Sequence, residues 1–140
     1  MEQRVSLITL GVGDVNRARA FYQRLGWMVG LQVQDTVFFQ AGGLIVTFWA
    51  RDKLADDCGV VDPGGWGGIS LAHNVGFRGE VDRIIEVARE VGAPISREPA
   101  QTFYGGYAGV FLDLDGHPWE VANNPGFGLL EDGTVRLPQS

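Results

Sequence analysis

The sequence predicts an α+β fold built from two tandem βαβββ modules, and three observations carry that prediction. An order of strand, helix and three further strands occurs twice, offset by about 63 residues, so that Val12 corresponds to Val75 and Ala18 to Val81. Both helical stretches stop on a glycine, Gly26 and Gly92, and both final hairpins turn on one. Eight of the 21 glycines come as pairs (Gly42-Gly43, Gly64-Gly65, Gly67-Gly68, Gly105-Gly106), which fits many short strands with tight turns and curved edges.

The first module spans about residues 4–50. Val5–Val12 is a strand with Ser6, Ile8, Leu10 and Val12 on one face and Leu7, Thr9 and Gly11 on the other. Asp14 is placed as an N-cap, and Val15, Ala18, Phe21, Tyr22 and Leu25 then recur at helical spacing. Three extended stretches follow, at 28–33, 36–40 and 44–50, rich in β-branched and aromatic residues. Residues 51–68 are polar and rich in Gly, a linker with at most one helical turn near Asp52–Asp56.

The second module spans about residues 69–125. Ile69–Val75 is its first strand, and Val81, Ile84, Ile85, Ala88 and Val91 form the second helical stripe. Ile95–Arg97, Tyr107–Leu112 and Pro118–Ala122 are its remaining strands. The tail, 126–140, holds Glu131-Asp132-Gly133-Thr134, a hairpin or loop expected to cover an edge.

At 140 residues the chain suits a single domain, which buries roughly 68–70% of the surface of its unfolded form. With 45% hydrophobic and 20% charged residues it lies far from the disordered regime. The net charge of −6, with Lys53 the one lysine and arginines scattered among acids, argues against a nucleic-acid partner. There is no basic-then-apolar leader and no apolar run of about 18–20 residues, so no membrane partner is expected and the expected compartment is the cytoplasm. Cys58 lies among acids with no nearby cation to activate it. No glycine pair opens a helix as a phosphate loop would, and neither Ser6 nor Ser70 sits in a nucleophile turn.

The stretch with most chemistry is Phe111-Leu-Asp-Leu-Asp-Gly-His-Pro-Trp-Glu-Val-Ala-Asn-Asn-Pro125. Asp115-Gly116 marks a hairpin, and beyond it Trp119 and Val121 share one face while Glu120 and Ala122 share the other. Glu120 therefore points away from the surface on which its apolar neighbours pack.

A duplicated βαβββ unit with an Asp-x-Asp-Gly-x-x-x-Glu hairpin near its end resembles the vicinal oxygen chelate superfamily, which includes glyoxalase I, the bleomycin-resistance proteins and the extradiol dioxygenases. The Gly13-Asp14 turn with its Ala-Phe-Tyr helix resembles the opening module of that family. Tyr104-Gly-Gly-Tyr-Ala-Gly with Leu114-Asp-Gly-His-Pro-Trp-Glu-Val-Ala resembles the closing one. The resemblance implies curved mixed sheets around a ligand cup, a homodimer, and, in metal-dependent members, one metal ligand from the first and last strand of each module. Those four places hold Leu7, Thr47, Ser70 and Glu120 here, and only the last is a competent ligand. His117 and His73 fall on faces that cannot complete the set. No metal and no cofactor are expected.

Glu120 is the candidate catalytic residue, because a carboxylate in an apolar cup can serve as a general base or bind a cation; equally it can be a survivor paired with an arginine. Trp49 and Thr47 share the cup face of the fourth strand, Thr9 and Asn74 supply polar contacts, and Tyr104 and Tyr107 flank Gly105-Gly106 at the mouth. Of the adjacent Phe38 and Phe39 one must face the cup, and Phe39 is assigned there. The expected function is metal-independent binding of a small aromatic or cationic molecule. The alternatives are a metal-independent lyase or isomerase using Glu120 as base and, less favoured by the missing ligands, a metal-dependent glyoxalase or dioxygenase.

Overall fold

The computed structural model describes residues 1–139, which form two compact units, the first running Met1–Gly65 and the second beginning at Trp66. Among the described residues there are two four-stranded sheets, three helices and one small two-stranded ribbon, a mixed α+β fold. The predicted order of elements is present in both units.

In the first unit, β1 (Leu7–Val12), α1 (Val15–Arg24), β2 (Leu31–Val33), β3 (Thr36–Ala41) and β4 (Leu44–Ala50) make a sheet of order β1-β4-β3-β2, with β1 parallel to β4. Asp14 caps α1 as the sequence predicts: its backbone is extended and its carboxylate accepts the Arg17 N–H at 3.0 Å. Ala18, Phe21 and Tyr22 are buried, and Tyr22 packs its ring 4.6 Å from that of Phe48. That contact fixes the helix on the face of Leu10, Val12, Val37, Phe39, Val46 and Phe48, all buried. The opposite, open face follows from the register, which aligns Leu7 with Ile45, Thr9 with Thr47, Gly11 with Trp49 and Phe38 with Thr47.

Beyond β4 the structure departs from the expected linker. Residues Arg51–Cys58 form a two-turn helix, α2, closed by Gly59 in the left-handed region at φ 67°. It buries none of its residues, so it carries no apolar stripe by which periodicity could reveal it. Its attachments are polar. Arg51 makes a two-point ion pair with Asp62, Nε to Oδ2 at 2.5 Å and Nη2 to Oδ1 at 2.9 Å, and Lys53 pairs with Asp35 in the β2–β3 turn. A side chain at Gly11 would place its Cβ 3.0 Å from Arg51 Cγ, so this glycine is what lets α2 start so close to β1.

The second unit repeats the plan with β5 (Leu71–Asn74), α3 (Arg78–Glu90), β6 (Ile95–Gln101), β7 (Tyr107–Leu112) and β8 (Pro118–Asn123) in the order β5-β8-β7-β6, with β5 parallel to β8. Val81, Ile85 and Ala88 of α3 are buried, as are Phe111, Trp119 and Val121 of the sheet. β6 runs four residues past its predicted end. Pro99 does not stop it because β6 is an edge strand, its register shifts on both sides of Arg97, and the proline ring fits where Gly109 has no side chain. The tail forms a ribbon of β9 (Gly128–Leu129) and β10 (Val135–Arg136) around the predicted Glu131–Thr134 turn.

Candidate functional site

The β7–β8 hairpin is built around Asp113. Its buried carboxylate accepts the backbone N–H groups of Asp115 and His117, both at 2.9 Å, through Oδ1, while Oδ2 lies 2.7 Å from His117 Nδ1. Gly116 supplies the positive φ of 85°. His117 is thereby part of the turn, a role the Asp-Gly signal does not reveal. The consequence lies five residues on, where the rigid turn fixes β8.

Register then sets Glu120 opposite Ala72 of β5 and Val110 of β7, on the face away from Trp119 and Val121. Arg97 of β6 also aligns with Val110, so arginine and carboxylate share one cross-strand row, and Arg97 Nη2 donates to Glu120 Oε2 at 3.1 Å. The side chains are 52% and 34% exposed respectively, so solutes can reach both. Arg97 escapes the sequence reading because the irregular register around Pro99 hides which way its side chain points; the legible signal is only an arginine inside a strand of the same module as Glu120.

The other predicted site residues divide. Asn74 lies on the open face, aligned with Ala122. Tyr104 stands in the tight Thr102–Gly106 loop, where Gly106 is obligatory because a Cβ there would meet Tyr104 Cε2 at 2.5 Å and Asn123 O at 2.6 Å. Tyr107 is a correction. It alternates with Gly109 and Phe111 toward α3, donates its hydroxyl to Asp82 Oδ1 at 2.6 Å and lies under the Arg78 guanidinium, 5.4 Å from the ring centroid. That hydrogen bond to Asp82 raises the Tyr107 pKa, and the residue faces away from the open side of its sheet.

In the first unit Thr9, Thr47 and Trp49 all lie on the open face. Thr47 is buried and donates its hydroxyl to the Val37 carbonyl at 2.7 Å. Trp49 lies near the Asp35 carboxylate, the acid that pairs with Lys53, and makes a small contribution to lowering its pKa after that of Lys53. Phe39 is the second correction. It is 1% exposed and packed in a ring cluster with Tyr22, Trp27 and Phe48, while Phe38, aligned with Thr47, takes the open face.

The four places that would ligate a metal do not fit one. Leu7 has no donor atom, the Thr47 hydroxyl is given to a carbonyl, Ser70 is a neutral hydroxyl ahead of β5, and Glu120 is paired with a guanidinium. Among the described residues no three His, Cys, Asp or Glu side chains gather as a metal site. No helix among them is long and apolar enough to cross a membrane.

Comparison with known proteins agrees with this geometry. The model of the Glyoxalase/Bleomycin resistance protein/Dioxygenase superfamily matches residues 4–121. The chain is 33% identical to a glyoxalase-related enzyme from Fulvimarina pelagi, with a TM-score of 0.91 over 99% of this chain and 100% of that one. A glyoxalase/bleomycin resistance protein/dioxygenase family enzyme from Burkholderia phytofirmans PsJN shares the fold at 23% identity, with a TM-score of 0.74 over 84% of this chain and 96% of that one. So does a lactoylglutathione lyase from Agrobacterium tumefaciens at 20% identity, with a TM-score of 0.68 over 87% and 94%. No curated protein matches the chain.

Proposed function

The chain belongs to the glyoxalase/bleomycin resistance protein/dioxygenase superfamily, and from that premise we propose that it binds a small organic molecule, aromatic or bearing a cationic group, without a catalytic metal. The observation that carries the reading is the chemistry of Leu7, Thr47, Ser70 and Glu120: one apolar residue, two neutral hydroxyls and one carboxylate already paired with Arg97. Supporting it, the open face of the first unit presents Phe38 and Trp49 for stacking, and that of the second presents Asn74 and Glu120.

A second reading, a metal-independent lyase or isomerase, rests on Glu120 itself. Only Oε2 is held by Arg97, which leaves Oε1 to take a proton from a bound carbon or oxygen acid. A thermal-shift screen of metabolites and aromatic antibiotics against wild type and Glu120→Gln separates the two. Binding that persists in the variant with the compound unchanged over hours supports sequestration, and turnover abolished by the substitution supports catalysis. Elemental analysis of untagged protein showing near one transition-metal equivalent per chain would overturn both.

A further inference from the structure

We propose that the Arg97–Glu120 pair selects small amphoteric acids, Arg97 anchoring a carboxylate while Glu120 accepts a hydrogen bond from a protonated amine beside it. This rests on the small-molecule reading above and names the class of ligand. Arg97 carries five N–H donors in a planar fork and commits one nitrogen to Glu120, at 3.1 Å and through a single contact, so the guanidinium keeps donors for a second acceptor. Glu120 likewise keeps Oε1. Both side chains project from the open face of one sheet; Ala72 and Val110 share their row, Ala100, Ala108, Ala122 and Asn74 make the row on one side, and Leu112 and Pro118 the row on the other. Most of these are short and apolar and leave room over the pair, and Asn74 is the one polar side chain among them.

The charge balance decides what can bind. Together the two groups are neutral, so a simple anion attracted by Arg97 is repelled by Glu120 at nearly the same distance, and a simple cation meets the reverse. A ligand that presents acceptor and donor side by side gains from both partners and displaces no charge. A carboxylate can also take the guanidinium through two parallel bonds, the stronger arrangement.

The test uses ¹⁵N-labelled full chain and follows the Arg97 Nε–H signal and the amides of β8. The probes are phenylalanine, which carries both groups, phenyllactate, in which a hydroxyl replaces the amine, phenylacetate and phenethylamine, which carry one each, and neutral phenylacetamide. Phenylalanine is expected to shift these signals with a Kd at least about tenfold below those of the other probes. Arg97→Gln is expected to abolish the preference. The Arg97→Gln/Glu120→Gln double variant, which leaves no uncompensated charge should the single variant misfold, is expected to do the same. Equal affinity for phenylacetate, or a preference that survives both variants, overturns the proposal. So does the absence of any shift with phenylalanine up to about 10 mM, beyond the affinities expected of a specific site. Phenylacetamide binding to either open face in that case leaves the small-molecule reading standing and removes only the amphoteric selection.

Discussion

Phe38 and Phe39 stand one residue apart on β3 and meet opposite environments. Phe39 is enclosed by Tyr22, Trp27 and Phe48, with ring centroids at 6.2, 5.5 and 5.4 Å, whereas Phe38 lies half-buried on the open face. Phe39→Ala is therefore expected to lower unfolding free energy by about 3–5 kcal/mol and Phe38→Ala by roughly 1–2 kcal/mol. Urea denaturation of the two variants checks this, and equal losses would mean that the faces are assigned wrongly. Alternation along a strand shows that two neighbours part company, but not which side the helix covers; that is fixed by Tyr22, a residue seventeen positions away. Tyr107 shares its face with Phe111, and the packing of α3 on that face is what shows it to turn away from the open side. Glu120 was legible because the hairpin fixes its parity within four residues, whereas Arg97 required the irregular pairing of β6 to be seen.

Helix α2 shows what an element held by charge looks like. It buries no residue and is tethered by Arg51 to Asp62 and by Lys53 to Asp35, so hydrophobic periodicity leaves it invisible while α1 and α3, each with a buried stripe, are plain. The Arg51 guanidinium, with help from the Gly64 N–H, lowers the Asp62 pKa from 3.8 to about 2. A depressed folded-state pKa means that the contribution of this tether is present above the unfolded value of 3.8 and is lost as pH falls through about 2. The Asp35 carboxyl, lowered chiefly by its hydrogen bond with Lys53, follows the same sign. Carbon-detected NMR titration should find Asp62 half-protonated near pH 2, and Arg51→Gln should return it toward 3.8. An unchanged midpoint in that variant would show that the ion pair does not hold α2 in solution. All these groups are exposed, so the effect belongs to the local order of α2 rather than to global stability.

At the scale of the whole chain, the duplicated order of elements was the most legible feature, because it depends on patterns long enough to survive a misplaced boundary: both sheets have the first strand parallel to the last. The open faces are where sequence reading loses resolution, since a β-strand declares its two sides without saying what covers the second. In the first unit that side exposes Leu7, Leu31 and Val33, from 40% to 56%, next to Phe38 and Trp49. Exposed apolar side chains gathered on one sheet face are the kind of surface that a partner covers. Pairing of two copies covers it, because a stable interface removes roughly 1,200–2,000 Å² from water. The expected outcome is a solution mass of about twice the 15.2 kDa of the chain by light scattering, retained on dilution to micromolar concentration. A Leu31→Lys/Val33→Lys variant should shift that mass toward one chain, as two charges set into an apolar interface face must be desolvated for it to close. A wild-type mass of one chain would mean that these residues remain in water and that the face is not a pairing surface.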